Sequence, residues 1–82
     1  MNLYLLKPSE ENKQAWIPWY DKAFGFVVRA ESELEARTIA NNDAGYESYG
    51  EQAPWFDPLQ SSCEILTANG EPSLVLRDFR SA

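Results

Sequence analysis

Apolar positions in this chain follow a period of two in four short stretches and a helical period in one. Residues 2–7 alternate Leu3 and Leu5 with Tyr4 and Leu6, so both faces are apolar, which predicts a buried strand ended by Pro8. Residues 9–18 are polar without an apolar period and predict a loop carrying Trp16 and Ile17. In residues 23–30, Phe24, Phe26, Val28 and Ala30 share one strand face, with Ala23, Gly25, Val27 and Arg29 on the other. The long connection between these two strands favours antiparallel pairing.

Ser32 opens a helix. Ser32-Glu33-Leu34-Glu35 fits the capping box, in which the Ser32 hydroxyl accepts a first-turn N–H and Glu35 reaches back to the Ser32 N–H. Ala36, Ile39 and Ala40 share a face at i, i+3, i+4 spacing and are expected to pack on Phe24, Phe26 and Val28. Asn41-Asn42-Asp43 ends the helix, with Gly45 closing the turn. Residues 46–57 read as a loop with Trp55 and Phe56 near its end, and Asp57-Pro58 as a cap and first helical proline of a single turn. Residues 62–68 alternate weakly, placing Cys63 and Ile65 opposite Glu64 and Leu66. Asn69-Gly70 signals a hairpin that returns as a last strand over 73–80. The fold predicted is α+β: a single domain, residues 1–82, of order β-β-α-β-β, with a small antiparallel sheet covered on one face by one helix.

Composition narrows the class. A length of 82 residues suits one domain, and 44% hydrophobic residues with 13% aromatic exclude a disordered acidic tail. The core is expected to take rings from Tyr4, Phe24, Phe26 and Phe79, with some of Trp16, Trp19, Trp55 and Phe56. Cys63 is the only cysteine, so no intrachain disulfide forms and a reducing cytosol is expected. The opening apolar run of four residues is too short for a signal peptide or a membrane span. Absence of histidine removes the commonest general base and metal ligand, and no phosphate-binding loop or nucleophile elbow is present. A binding protein without catalytic, cofactor or metal residues is expected rather than an enzyme; a carboxylate- or metal-dependent hydrolase ranks last.

Charge sharpens this reading. Residues 31–64 hold eight acids (Glu31, Glu33, Glu35, Asp43, Glu47, Glu51, Asp57 and Glu64) against Arg37, a local charge of −7. Elsewhere five acids meet six bases, and the whole chain is −6. Capping and dipole effects account for Glu33 and Glu35 by themselves. The run of acids beyond them, with almost no base interleaved, is unlike a merely solvated surface. Glu31, Glu33, Glu35, Asp43, Glu47, Glu51 and Asp57 are therefore candidates for contacting a cationic partner, with Tyr46 and Tyr49 adding packing. Direct nucleic-acid binding is opposed by the net charge and the lack of a basic groove, and a membrane surface by its own anionic charge. Cys63 is expected to be a small buried hydrophobe. A monomer is expected, because self-association would bring together two anionic bodies.

Several segments resemble a large family of short, mostly uncharacterised phage and prophage proteins. They are the opening Met1-Asn2-Leu3-Tyr4-Leu5-Leu6, then Trp19-Tyr20-Asp21, the run from Phe26 to Glu33, and Glu35-Ala36-Arg37-Thr38-Ile39-Ala40. Trp55 with Asp57-Pro58, Cys63-Glu64-Ile65-Leu66 and the closing Asp78-Phe79-Arg80-Ser81-Ala82 complete the set. The resemblance implies a phage origin and the cytoplasm of an infected bacterial host. Phage proteins of this size and acidity include inhibitors of host defence, some of which imitate duplex charge and block the positively charged DNA path of a CRISPR effector. The functional expectation is thus an anti-CRISPR of the DNA-mimic type, seated on a basic surface of a host nucleic-acid-binding complex. The acidic block is nominated on charge alone. The alternative is a small phage accessory protein that binds another protein through exposed aromatic residues, with charge serving solubility.

Overall fold

The computed structural model describes residues 1–17, 20–50 and 53–79. Three strands, β1 (Asn2–Pro8), β2 (Phe26–Ala30) and β3 (Ser61–Leu66), and one helix, α1 (Glu33–Asn42), follow in the order β1-β2-α1-β3. Both outer strands pair antiparallel with β1, giving the sheet order β2-β1-β3. Central placement of β1 explains its double-sided apolar pattern. Tyr4 and Leu6 face the helix side between Val28 or Phe26 and Ile65 or Cys63, while Leu5 is buried on the other face between Val27 and Glu64. Since β2 and β3 lie on opposite edges, the chain must cross the sheet between them. It does so with α1 and the loop that follows, and these cover one face.

The capping box forms with one change of partner. Ser32 Oγ accepts the Glu35 N–H at 3.2 Å, but Glu35 Oε1 accepts from Glu31 N at 2.7 Å, one residue earlier than expected. The helix ends at Asn42 with Asp43 as its C-cap, whose N–H reaches Ala40 O at 3.0 Å. Its inward face is Ala36, Arg37 and Ala40, and Ile39 is left 40% exposed. The expected packing of Ile39 on the sheet is therefore corrected. At 100° per residue Ile39 lies roughly 110° from the centre of the 36-37-40 face. The two alanine methyls allow the helix backbone close to β2, and the buried guanidinium of Arg37 sets the rotation.

Such a short helix cannot roof the sheet alone. The rest of the roof comes from the segments 9–25 and 43–60, which place Trp16 and Trp55 in the core with almost no solvent exposure. Their rings meet edge-to-face at 5.2 Å, and Trp55 meets Phe26 at 4.9 Å. Phe24 and Phe26 pack against this core as half-buried rings, Phe56 is 38% exposed, and Trp19 lies outside the described residues.

The last predicted hairpin is absent. Residues 73–79 belong to no strand, and Phe79, assigned above to the core, is 67% exposed; Arg80 lies outside the described residues. The order is β-β-α-β rather than β-β-α-β-β. A two-residue hairpin of the Asn-Gly kind needs positive φ at both turn residues. Among the described residues no non-glycine has positive φ, so Asn69 does not take that conformation, although Gly70 has φ 147°. Pro72 then removes a ladder donor at the start of the return.

Gly45 has a different role from the turn closure expected. A Cβ there would sit 2.3 Å from Asp21 O and 2.8 Å from Lys22 Cα, where Tyr46 N donates to Asp21 O at 2.7 Å. Gly25 would meet only Leu6 O at an ordinary 3.6 Å. Gly45→Ala is therefore expected to destabilise by about 1–3 kcal/mol through backbone displacement. Gly25→Ala should cost well under half as much. Urea denaturation of the two variants tests this, and equal midpoints would refute the role of the close approach.

Candidate functional site

Two charged side chains of residues 31–64, Glu47 and Arg37, are inside the molecule. Glu47 begins life in a loop next to Gly45, in a 3-10 turn, Tyr46–Ser48, and is only 2% exposed. Its Oε1 accepts from Ala23 N at 3.0 Å and Gly45 N at 3.1 Å, while Oε2 accepts from Trp55 Nε1 at 2.6 Å. Three N–H donors from three separate segments converge on one carboxylate. Its place among the partner-contacting acids is thereby corrected: a side chain committed to holding the loops cannot reach a partner.

Arg37 is 5% exposed and joins α1 to the approach to β3. Its Nε donates to Glu33 Oε2 at 2.8 Å, one Nη donates to Trp55 O and Ser61 Oγ, each at 2.8 Å, and the other to Ser61 O at 3.2 Å. Ser61 Oγ passes a bond on to Pro54 O at 2.6 Å. The planar fork suits this work, because several fixed donors meet carbonyl oxygens left over by a turn. Turning Arg37 inward also removes the only base of residues 31–64 from the outer surface.

The other nominated acids divide by what they touch. Glu33 is half exposed and paired with Arg37, and Glu31 lies 3.9 Å from the terminal ammonium of Met1. Glu35 is exposed while closing the capping box, and Asp43 is exposed at the helix end. Asp57 is half-buried in its turn, with Oδ1 accepting from Leu59 N at 2.9 Å and Oδ2 from Gln60 Nε2 at 3.0 Å. The Gln60 side chain, then the Leu59 N–H, holds its carboxyl below the ordinary value of 3.8. Glu51 lies outside the described residues.

The tyrosines form a surface cluster that includes a third member the sequence reading did not single out. Tyr46 and Tyr49 lie 5.3 Å apart between centroids, and Tyr20 stands edge-on to Tyr46 at 6.3 Å. All three are exposed, Tyr49 most at 76%. Lys22 Nζ sits 5.0 Å from the Tyr20 centroid and 6.0 Å from that of Tyr46. Glu47 fixes this arrangement from beneath, because it grips the backbone at Ala23 and Gly45 on either side of the rings. Ile17, 60% exposed, lines the same shallow depression as Tyr20, Tyr46 and Tyr49, and Asp21 borders it. The signal for Tyr20 was weak, since no periodicity links residue 20 to residues 46 and 49.

Cys63 is half-buried, and burial raises its thiol pKa. Among the described residues no group of three or more histidines, cysteines or carboxylates is arranged to hold a metal, and no helix is long and apolar enough to cross a membrane. No protein-family model, curated protein or solved structure matches this chain.

Glu47→Gln should destabilise by about 1–3 kcal/mol, since one of the two oxygens becomes an NH₂ facing N–H donors. Chemical denaturation and near-ultraviolet dichroism of the tryptophans would show it; an unchanged stability would mean the three bonds are not formed. Asp57 has the opposite kind of leverage, through pH. Its lowered pKa contributes stability that is complete above the ordinary value of 3.8 and is lost as pH falls through the lowered value. Asp57→Asn is expected to flatten the stability curve below about pH 4 and to leave its shape near neutrality unchanged. A variant curve parallel to the wild type at every pH would contradict this.

Proposed function

We propose that this chain is a non-catalytic binding module whose docking face is the Tyr20, Tyr46 and Tyr49 cluster, and that its partner is a protein surface rich in lysine or arginine. The observation that carries this is the position of Lys22 over the Tyr20 and Tyr46 rings. A cation already finds these ring faces favourable, and the Tyr49 ring, which carries no cation among the described residues, offers a partner's lysine or arginine the same kind of quadrupole. Clustered tyrosines also bring large contact area with few rotatable bonds to immobilise. The exposed carboxylates Asp21 and Asp43, near the cluster in the chain, add attraction for a basic surface and speed encounter.

A second reading is favoured by the burial of Arg37, which leaves the outward side of residues 31–64 without a base among the described residues. Here the exposed carboxylates Glu31, Glu35 and Asp43 stand in for phosphates on the DNA path of a nucleic-acid-handling complex, with a CRISPR effector of the bacterial host as the specific partner. The phage resemblance supports this reading, and Glu47 has no part in it.

Affinity capture from a bacterial lysate separates the two. With Tyr20, Tyr46 and Tyr49 replaced by alanine, retention of the partner should fall at least about 30-fold, because central aromatic anchors are worth about 2 kcal/mol or more each. The triple variant Glu31→Lys, Glu35→Lys, Asp43→Lys should then weaken capture only mildly. If instead the lysine variant abolishes retention, the tyrosine variant retains it, and binding collapses between low and above-physiological salt, the phosphate-mimic reading stands. Competition then completes that case: target DNA must lose its place on the captured complex.

A further inference from the structure

The acidic chain also carries a small basic hollow that adjoins the tyrosine depression, with Ile17 lining both. Of its seven lysines and arginines, Lys7, Lys13 and Arg77 line one cavity of about 200 Å³, together with the acids Glu10 and Asp78. The lining is thus +1 in a protein of −6. Its apolar surface comes from Trp16, Ile17 and Phe24 on the body of the fold and from Leu76 and Phe79 on the segment after β3. Glu10 pairs with Lys13 at 3.5 Å, and Asp78 has an interaction of its own. Lys7, half-buried at the end of β1, makes no ion pair with a described residue. The Arg77 guanidinium lies over the Phe79 ring at 4.4 Å and makes no ion pair with a described residue.

We infer that this hollow binds a small arylalkanoate: one aromatic ring on a short chain ending in a carboxylate. The ring would displace water from Phe24, Leu76 and Phe79, while the carboxylate met Lys7 and Arg77. Both halves are needed. An apolar ligand alone would leave the Lys7 ammonium confined beside it, and a free inorganic anion would leave the rings wet. The volume lies below the roughly 300–1,000 Å³ of drug-sized pockets, which excludes a nucleotide and suits a single ring. Leu76 and Phe79 belong to a segment without strand partners, so ligand binding would also fasten that segment to the body of the fold.

The test uses 3-phenylpropionate and its uncharged amide, followed by amide-resolved NMR and tryptophan fluorescence on the full chain. Saturable binding of the carboxylate is expected, with shifts gathered at Lys7, Trp16, Phe24, Leu76 and Phe79. The amide should bind about tenfold or more weakly, as removal of a charge-assisted contact implies. Lys7→Gln with Arg77→Gln should erase the difference between the two ligands while leaving the melting midpoint unchanged. Binding of acid and amide with equal affinity would overturn the inference, as would shifts centred on Tyr20, Tyr46 and Tyr49. Failure of the carboxylate to saturate at millimolar concentration would also overturn it.

Discussion

The carboxylate of Glu47 is the constraint on which the remaining structure depends. A single helix of Glu33–Asn42 and three short strands leave much of the sheet's apolar face to be covered by irregular chain. Irregular chain has no ladder to hold it, so its backbone donors must find side chains or water. Glu47 gathers donors from Ala23, Gly45 and Trp55 and so binds two long loops to one another over the ring layer. Burying a carboxylate is costly unless its oxygens are fully bonded, and here they are: among the described residues no buried side-chain nitrogen or oxygen lacks a partner. Weakening that clasp releases Trp55, and with it the contacts to Trp16 and Phe26.

Arg37 repeats the same solution with the opposite sign. The turn at 53–61 leaves carbonyl oxygens at Pro54, Trp55 and Ser61 facing inward, and the guanidinium with the Ser61 hydroxyl satisfies them. Helix orientation follows from this, since Arg37 rather than Ile39 occupies the inward stripe beside Ala36 and Ala40. Ile39 is the cost, a β-branched apolar residue left partly in water. The exchange is favourable because each unsatisfied buried carbonyl costs about 1–3 kcal/mol and three are involved, against about 1.5–3 kcal/mol for one buried aliphatic side chain.

These two residues mark where the sequence was legible and where it was not. The strand at residues 2–7, the Ser32 cap, the helix end at Asn41-Asn42-Asp43 and the Asp57-Pro58 turn were readable because each rests on local chemistry within a few residues. Beyond one local contact each, to Gly45 and to Glu33, Glu47 and Arg37 are buried by partners 8 to 24 residues away, which nothing in their neighbourhood announces. Tyr20 joined Tyr46 for the same reason, through the backbone approach of Gly45 to Asp21. The Asn69-Gly70 hairpin failed in the other direction, as a local preference that the following Glu71-Pro72 did not support. Of the candidate surface, Tyr46 and Tyr49 were legible as residues but their arrangement was not.

Relocating Glu47 and Arg37 changes how the acidic block acts on its surroundings. A charge counted along the chain is not a charge on the surface. Glu47 has left the outer field, Glu33 is partly neutralised by Arg37, and Asp57 has both carboxylate oxygens directed at its own turn. Glu31, Glu35 and Asp43 remain outward, flanking a helix whose N-terminal dipole already offsets Glu35. Exposed charges of this kind are each worth about 0–1 kcal/mol and are screened beyond roughly 8–10 Å at physiological salt. They guide approach more than they hold a complex. Holding requires surface that sheds water, and the surface proposed for it is the exposed tyrosines at 20, 46 and 49, near which the buried carboxylate bonds the backbone at Ala23 and Gly45.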